Sequence, residues 1–202
     1  IISYSIKLAL ASNLFDKVIV STDSKEISKV AIKYGAQVPF MRPKKFANDY
    51  IGTHEVIGHA VNWLESKSEK IDYACCIYPT APLIKKKDLM KGLDLIKKKG
   101  CDSVIAATCF SYPIFRSFKK LSNGGLQMIF PKHFNSRSQD LPKIYHDAGL
   151  FYWAKPNIWK KKPCRFGKKN HIVEIPNYRV QDIDTYDDWK KAEVIYKVLK
   201  YK

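Results

Sequence analysis

Short apolar runs alternate along this chain with stretches whose apolar residues are three and four positions apart. The run at residues 73–83 is apolar on consecutive positions. Such a run favours a strand covered on both faces, as in the middle of a parallel sheet. Helical spacing predicts helices at residues 2–13, 23–35, 53–65 and 85–99 and a last helix that ends near Tyr201, and further strands are predicted at 17–21, 36–40, 102–110, 147–154 and 172–175.

Repeated strand-helix-strand units predict an α/β fold: a Rossmann-like, three-layer domain with a mainly parallel sheet and right-handed crossovers. The pattern changes at residues 111–146, where the turn at Asn123-Gly124 separates two β-like runs. This spacing predicts a β-hairpin that leaves the sheet as an arm. Its aromatic residues could pack on the same domain or on a partner subunit, and the pattern leaves both open.

The length of 202 residues and the hydrophobic fraction of 46% predict one domain over residues 1–202. The formal charge is +17, but it comes mostly from lysines scattered over predicted helix faces, with few arginines. This distribution argues against a nucleic-acid partner and suits a small anion such as a nucleoside triphosphate. No apolar run has the length of a membrane span.

The five cysteines are odd in number and show no C-x-x-C spacing. This pattern predicts reduced thiols in a cytoplasmic protein. The first residue is Ile1 rather than methionine, so we expect that the natural beginning of the protein is absent from this sequence.

Two prolines end the apolar run at 73–83. Pro79 and Pro82 cannot donate to a ladder, so the chain should leave the sheet in a stiff turn that presents backbone groups and the Thr80 hydroxyl. Ligands of open α/β sheets bind at such carboxyl ends of strands. The alternative is a proline-stiffened crossover without a ligand.

Asp182 and Asp184 lie two positions apart, so in an extended chain their carboxylates face the same side. Two close carboxylates repel each other unless a cation lies between them, and such oxygens are hard ligands suited to Mg²⁺. The alternative is that the acidic cluster only begins the last helix, with Thr185 as the N-cap and Asp188 three positions later.

Other polar groups could bind the substrates. Arg42 and Thr53, the latter at a helix N-terminus, suit a phosphate or a ribose. Arg137, Gln139 and Asp147 could recognise the carboxylate and hydroxyls of an acidic sugar. For these three the alternative is an ion-paired surface loop.

Five motifs occur in the order seen in cytidylyltransferases of nine-carbon acidic sugars. They are VIVSTD at 18–23, RP at 42–43, YPTAPL at 78–83, RSQDLP at 137–142 and DIDT at 182–185. The chain therefore resembles the CMP-sialic acid synthetase family over essentially its whole length. The segment 145–153 is similar to the pseudaminic acid branch of that family, since sialic acid enzymes usually have Asn-Gly where this chain has Ala148-Gly149.

The resemblance implies that CTP and a nonulosonic acid, pseudaminic acid in that branch, give a CMP-sugar and pyrophosphate. It assigns Arg42, Thr53, Tyr78, Pro79 and Thr80 to the nucleotide, Arg137, Gln139, Tyr145 and Asp147 to the sugar, and Asp182 and Asp184 to a catalytic Mg²⁺. It also implies a homodimer whose hairpin reaches the active site of the partner. The family's triphosphate loop, which precedes the first helix, is not found in this sequence, so little turnover is expected without it.

Two other functions remain open from the residues alone. A metal-dependent glycosyltransferase would share the nucleotide-binding sheet and the acidic pair, but it would release a nucleoside diphosphate. A basic nucleic-acid-binding module would lose affinity steeply with salt and would tolerate substitution of Asp182 or Asp184.

Overall fold

The computed structural model describes residues 1–161 and 167–200. Its helices are α1 (Ile2–Ser12), α2 (Lys25–Lys33), α3 (Thr53–Ser66), α4 (Lys86–Lys99), α5 (Pro156–Trp159) and α6 (Tyr186–Lys200). Its strands are β1 (Ala74–Ile77), β2 (Ser103–Cys109), β3 (Phe118–Lys120), β4 (Leu126–Met128), β5 (Tyr145–Ala154) and β6 (Asn170–Glu174). Cys164 and the predicted helix end at Tyr201 lie outside the described residues.

Four strands form the main sheet, in the order β1-β5-β2-β6. β2 and β6 pair in parallel, while β5 runs antiparallel to both β1 and β2. β1, β2 and β6 therefore point in the same direction, and β5 is the reversed strand between them. The expected mainly parallel α/β sheet is confirmed, because three of the four strands in this sheet run in the same direction.

The predicted position of the 73–83 run in the middle of a parallel sheet is wrong. In the described sheet β1 is the end strand, and it pairs antiparallel with β5. A continuous apolar run indicates that both faces of a strand are buried, but it does not indicate which strands pair with it or in which direction they run.

The strands predicted at 17–21 and 36–40 shrink to one parallel bridge between Ile19 and Gln37. Two backbone hydrogen bonds hold it, from Val20 N to Gln37 O at 2.9 Å and from Gln37 N to Val18 O at 2.8 Å. Pro39 follows two positions after Gln37 and has no N–H, so it cannot donate the next bond of a longer ladder.

Helices cover both faces of the sheet. On one face α4 packs on Phe151 and Trp153 of β5. On the other face Tyr152 of β5 packs in a smaller cluster with Val61 of α3 and Trp159 of α5. β5 therefore alternates between two cores, which is the three-layer arrangement expected from the sequence. No helix in the described residues is long and apolar enough to cross a membrane.

The Asn123-Gly124 turn lies between β3 and β4, which pair antiparallel as a separate two-stranded sheet. Large apolar side chains remain exposed on and around this hairpin, among them Phe118 at 60%, Leu126 at 68% and Phe134 at 70%. The hairpin lies at its predicted place, and its role in dimerisation stays a prediction.

Candidate active site

A row of hydroxyl groups links α3 to β5 across the end of β1. Thr53, the first residue of α3, places its hydroxyl oxygen 2.8 Å from the hydroxyl of Tyr78, which follows β1. The ring of Tyr78 packs against that of Tyr152 with centroids 5.4 Å apart. The Tyr152 hydroxyl donates to the carboxylate of Asp147, lying 2.8 Å from each oxygen. The structure thus joins two predicted nucleotide residues, Thr53 and Tyr78, to one predicted sugar residue.

An irregularity in β5 makes this meeting possible. Asp147 pairs with Ala107 of β2 and Tyr152 pairs with Ile105, so four residues of β5 oppose the single residue Ala106. Gly149, inside this bulge, has a φ of 62°, a conformation that residues with a Cβ rarely adopt. Its N–H donates to Asp147 over 2.9 Å. The bulge therefore turns residues five positions apart toward each other.

Asp182 lies against this bulge. A Cβ added to Gly149 would stand 3.4 Å from a carboxylate oxygen of Asp182, an ordinary van der Waals contact, so the positive φ rather than this distance favours glycine. Asp182 is exposed, but partial desolvation raises its pKa, and the charges of Asp184, Asp147 and Asp188 raise that pKa further. The predicted metal residues and the predicted sugar residue Asp147 are thus electrostatic neighbours. Negative charge therefore accumulates around Asp182.

Asp188 has a different task. Its carboxylate accepts hydrogen bonds from the Thr185 N–H at 3.1 Å and from the Thr185 hydroxyl at 2.7 Å, and the Asp188 N–H donates back to Thr185 Oγ1. These bonds lower the pKa of Asp188. The predicted cap at the start of α6 is therefore present, and it leaves Asp182 and Asp184 outside the cap.

The donor set of Asp182 and Asp184 fits Mg²⁺ in the mode that uses substrate phosphates. Within residues 1–161 and 167–200, no group of three or more His, Cys, Asp or Glu side chains is arranged to hold a metal ion. Mg²⁺ is usually bound through one or two carboxylates, with waters and phosphate oxygens as its other ligands. The two carboxylates of Asp182 and Asp184 would supply the protein ligands in this mode of binding.

A buried ion pair connects the turn after β1 with the segment that carries Asp182. Arg179 donates to both carboxylate oxygens of Asp88, at 2.7 and 2.9 Å, and to the carbonyl of Leu83 at 3.4 Å. Both side chains are 3% exposed. Asp88 also accepts from the N–H of Lys85 at the start of α4, which fixes that helix end. The pair was missed from the sequence, since residues 91 positions apart give no local pattern.

The described contacts of Arg42 are with residues 22 and 23. Its guanidinium is 3.3 Å from Asp23 and its backbone N–H donates to the carbonyl of Thr22, at the bend that follows the Ile19 bridge. The side-chain atoms Arg42 Nε and Ser21 Oγ are buried and make no hydrogen bond within the described part of the chain. These atoms are a donor and a hydroxyl that a ligand could satisfy. No described contact joins Arg42 to Thr53 or Tyr78.

The other residues of the predicted nucleotide set form the turn itself. Pro79 is exposed and Thr80 is half-buried, directly after Tyr78. Tyr78 is anchored by its N–H, which donates to the Leu150 carbonyl of β5 at 2.9 Å, and by its carbonyl, which accepts from Ser5 at 2.8 Å. The turn therefore begins at a fixed point beside the bulge.

The contacts described for the other predicted sugar residues are with Asp140 and Glu174. Arg137 is 72% exposed and pairs with Asp140 three positions later, at 2.7 Å. Gln139 lies exposed in the same short 3-10 turn. The hydroxyl of Tyr145 donates to Glu174 of β6 over 3.0 Å, which raises the pKa of Tyr145. For Arg137 the observed geometry is the ion-paired surface loop considered as the alternative, and its sugar-binding role stays a prediction.

Tyr152 and Gly149 were not recognised as site residues from the sequence. A glycine inside a strand pattern often marks a bulge, so Gly149 was a usable signal. Tyr152 is one of three consecutive aromatic residues in an apolar run, and no feature of the run distinguishes it from Phe151 or Trp153.

A groove of about 580 Å³ is lined by α3 together with Pro43, Lys45, Phe46, Trp159, Lys160 and Lys161. It contains none of the predicted site residues. The candidate site is instead the open surface around Thr53, Tyr78, Asp147, Asp182 and Asp184.

Comparisons with known proteins identify relatives over almost the whole chain. Residues 1–192 match the family model described as cytidylyltransferase. A pseudaminic acid cytidylyltransferase of Campylobacter jejuni is 41% identical over 198 residues, covering 98% of this chain and 85% of the relative. A CMP-N,N'-diacetyllegionaminic acid synthase of Legionella pneumophila is 34% identical, covering 96% of this chain and 83% of the relative. The N-acylneuraminate cytidylyltransferase A of Danio rerio is 32% identical over 96% of this chain and 44% of its own length.

Solved structures share the fold. A CMP:2-keto-3-deoxy-manno-octonic acid synthetase complexed with CTP superimposes with a TM-score of 0.67 at 12% identity, covering 100% of this chain and 88% of the other. A 4-diphosphocytidyl-2C-methyl-D-erythritol synthase of Anaerococcus prevotii gives a TM-score of 0.61 at 10% identity, covering 97% of this chain and 88% of the other. With the family model matching residues 1–192 and relatives above 30% identity over most of the sequence, the chain belongs to the cytidylyltransferase family.

Proposed function

We propose that this protein transfers CMP from CTP to the anomeric hydroxyl of a nonulosonic acid and releases pyrophosphate. The observation that carries the proposal is the 41% identity to a pseudaminic acid cytidylyltransferase over 98% of the chain. The site supports it, because the row of hydroxyl groups at Thr53, Tyr78 and Tyr152 brings the turn after β1 next to Asp147 of β5. A nucleotide and a sugar acid could therefore lie side by side.

The proposed sugar is pseudaminic acid. Relatives that carry the names of other acidic sugars are less similar, at 34% and 32% identity. Ala148, which precedes Gly149 in the bulge, is 1% exposed and has no side-chain amide to offer a sugar hydroxyl. Sialic acid enzymes usually have asparagine at this position, and the difference supports a distinct pattern of sugar recognition beside Asp147.

The proposed chemistry relies on placement of the two substrates. Arg42, Thr53, Tyr78, Pro79 and Thr80 hold the nucleotide, and the sugar oxygen attacks the α-phosphorus in line while the bond to pyrophosphate breaks. Arg137, Gln139, Tyr145 and Asp147 hold the sugar. Asp182 and Asp184 would hold Mg²⁺, which offsets the charge of the phosphates.

We also propose that the protein acts in the cytoplasm as a homodimer. The cysteine pattern supports the compartment. The exposed apolar side chains on and around the hairpin support the dimer, because a partner subunit could cover them.

The experiment is incubation of the protein in its natural full length with CTP, Mg²⁺ and a panel of pseudaminic, legionaminic and N-acetylneuraminic acids. We expect pyrophosphate and a CMP-sugar, with the highest kcat/KM for pseudaminic acid. Release of CDP instead would indicate glycosyl transfer from a sugar nucleotide. Absence of pyrophosphate with every sugar acid would contradict the proposed reaction, and a preference for another sugar would contradict only the proposed substrate.

A further inference from the structure

The hydroxyl row, defined as Thr53, Tyr78 and Tyr152 ending at Asp147, runs from one proposed substrate to the other. Thr53 and Tyr78 stand at the nucleotide end, and Asp147 stands beside Asp182 at the sugar end. Tyr152 is the central member and is 4% exposed. Its ring packs in an apolar cluster that a phenylalanine ring could fill equally well, while its hydroxyl donates to Asp147. Packing therefore requires the ring of Tyr152 and leaves the hydroxyl without a packing role.

The carboxylate at the end sets the direction of every proton in the row. An ionised carboxylate only accepts hydrogen bonds, so the Tyr152 hydroxyl donates to Asp147. The Tyr152 oxygen is then left to accept from Tyr78, and the Tyr78 oxygen to accept from Thr53. The Thr53 oxygen at the head of the row therefore faces a ligand as an acceptor, which suits a donor such as a ribose hydroxyl.

Tyr152 stays protonated in this setting. Burial, a hydrogen bond with Tyr78 and the charge of Asp147 all raise the pKa of Tyr152 above that of an ordinary tyrosine. The row consequently keeps its proton order at physiological pH. Hydrogen bonds joined in this way polarise one another, so a bond gained at one end strengthens the bonds along the row.

We propose that Tyr152 is a positioning residue that couples the two substrates, so that a nucleotide donating to Thr53 fixes Asp147 for the sugar. The proposal rests on the proposed function. Coupling between two sites is reciprocal, so the bound sugar must increase the affinity for the nucleotide by the same factor. A purely structural tyrosine would change both affinities without changing their dependence on each other.

The test is Tyr152→Phe, which retains the ring and removes the hydroxyl. Calorimetry would measure the binding of pseudaminic acid, with Mg²⁺, in the absence and presence of a CTP analogue with a methylene between its α and β phosphorus atoms. In the unmodified protein we expect the analogue to tighten sugar binding about fivefold or more, as is typical of coupled sites. In Tyr152→Phe we expect each ligand alone to bind nearly as before and the coupling factor to fall toward one.

Two further variants complete the design. Thr53→Val removes the head of the row, so it should lose the coupling as well, and combining it with Tyr152→Phe should cause no additional loss. Tyr34→Phe is the matched control, because Tyr34 packs in a separate cluster beside α1 and α2. It should retain the full coupling factor.

Retention of the coupling factor in Tyr152→Phe would overturn the inference, and so would absence of coupling in the unmodified protein. Equal weakening of both ligands with unchanged coupling would assign Tyr152 a structural role only. If the unmodified protein releases no pyrophosphate with any sugar acid, the proposed function fails first, which separates the two outcomes.

Discussion

At the scale of single residues, the environment of Asp182 is the main electrostatic feature of the site. Its carboxylate lies against the Gly149 bulge, and partial desolvation together with the charges of Asp184, Asp147 and Asp188 raises its pKa. Close carboxylates without a cation oppose their own ionisation. Folding tolerates this arrangement, and a bound divalent cation would relieve it.

Asp184→Asn tests the metal role directly. The substitution removes one charged ligand while retaining the size of the side chain, so turnover should fall by roughly 100-fold, with a higher Mg²⁺ concentration needed for half-maximal rate. Steady-state kinetics across a Mg²⁺ titration measures both effects. Mn²⁺ binding followed by electron paramagnetic resonance gives a readout that does not depend on turnover.

Asp187→Asn is the matched control for that variant. Asp187 lies in the same acidic stretch, in the first turn of α6, and is exposed. It should keep the Mg²⁺ dependence of the unmodified protein. Normal turnover and Mn²⁺ affinity in Asp184→Asn would remove Asp184 from the metal site.

At the scale of elements, the Arg179–Asp88 pair joins the start of α4 to the segment before Asp182. Both side chains are buried, and the guanidinium also reaches the Leu83 carbonyl in the turn after β1. A buried ion pair offers little net stability over apolar side chains, but loss of one partner leaves an unpaired charge. The Arg179–Asp88 pair is thus a buried polar connection between the two halves of the candidate site.

Asp88→Asn should lower the free energy of unfolding by about 3–5 kcal/mol, because Arg179 then remains buried without a counter-charge. The asparagine oxygen can still accept from the Lys85 N–H, so the change isolates the ion pair from the helix cap. Urea unfolding of the two proteins measures the difference.

The double variant Asp88→Asn, Arg179→Met should recover part of that stability, because it buries no unpaired charge. Asp94→Asn, on the exposed side of α4, should have almost no effect. A double variant that is less stable than Asp88→Asn alone would contradict the expected recovery.

At the scale of the whole molecule, the hairpin is separate from the main sheet. β3 and β4 form their own sheet, and their apolar side chains remain largely exposed. A second copy of the chain is the proposed cover for this surface. Assembly would then bury the aromatic surface that the predicted arm carries.

Leu126→Asp should convert a dimer into a monomer, because it places a charge in the proposed apolar interface. Light scattering after size-exclusion chromatography measures the mass, and circular dichroism should show an unchanged fold, because Leu126 is 68% exposed. Val194→Asp, at a residue of α6 that is 61% exposed, is the control and should remain dimeric. A monomeric unmodified protein would contradict the proposed dimer.

The sequence by itself determined most of the elements and the family. Helical spacing located α1, α3 and α4 to within two residues, and the Asn-Gly turn located the hairpin. The acidic pair and the cap at Asp188 were also readable, because both depend on residues two or three positions apart. Local patterns of this kind are fixed by backbone geometry and survive in any tertiary context.

Only the tertiary structure decided which strands and side chains are neighbours in space. The reversed direction of β5, the place of β1 at the end of the described sheet and the Arg179–Asp88 pair depend on contacts between distant positions. The meeting of Tyr152 with Asp147 depends on a bulge that a period of two in side-chain direction cannot express. Periodicity reports which face of an element is buried, whereas the partner on that face is chosen by the packing of the whole chain.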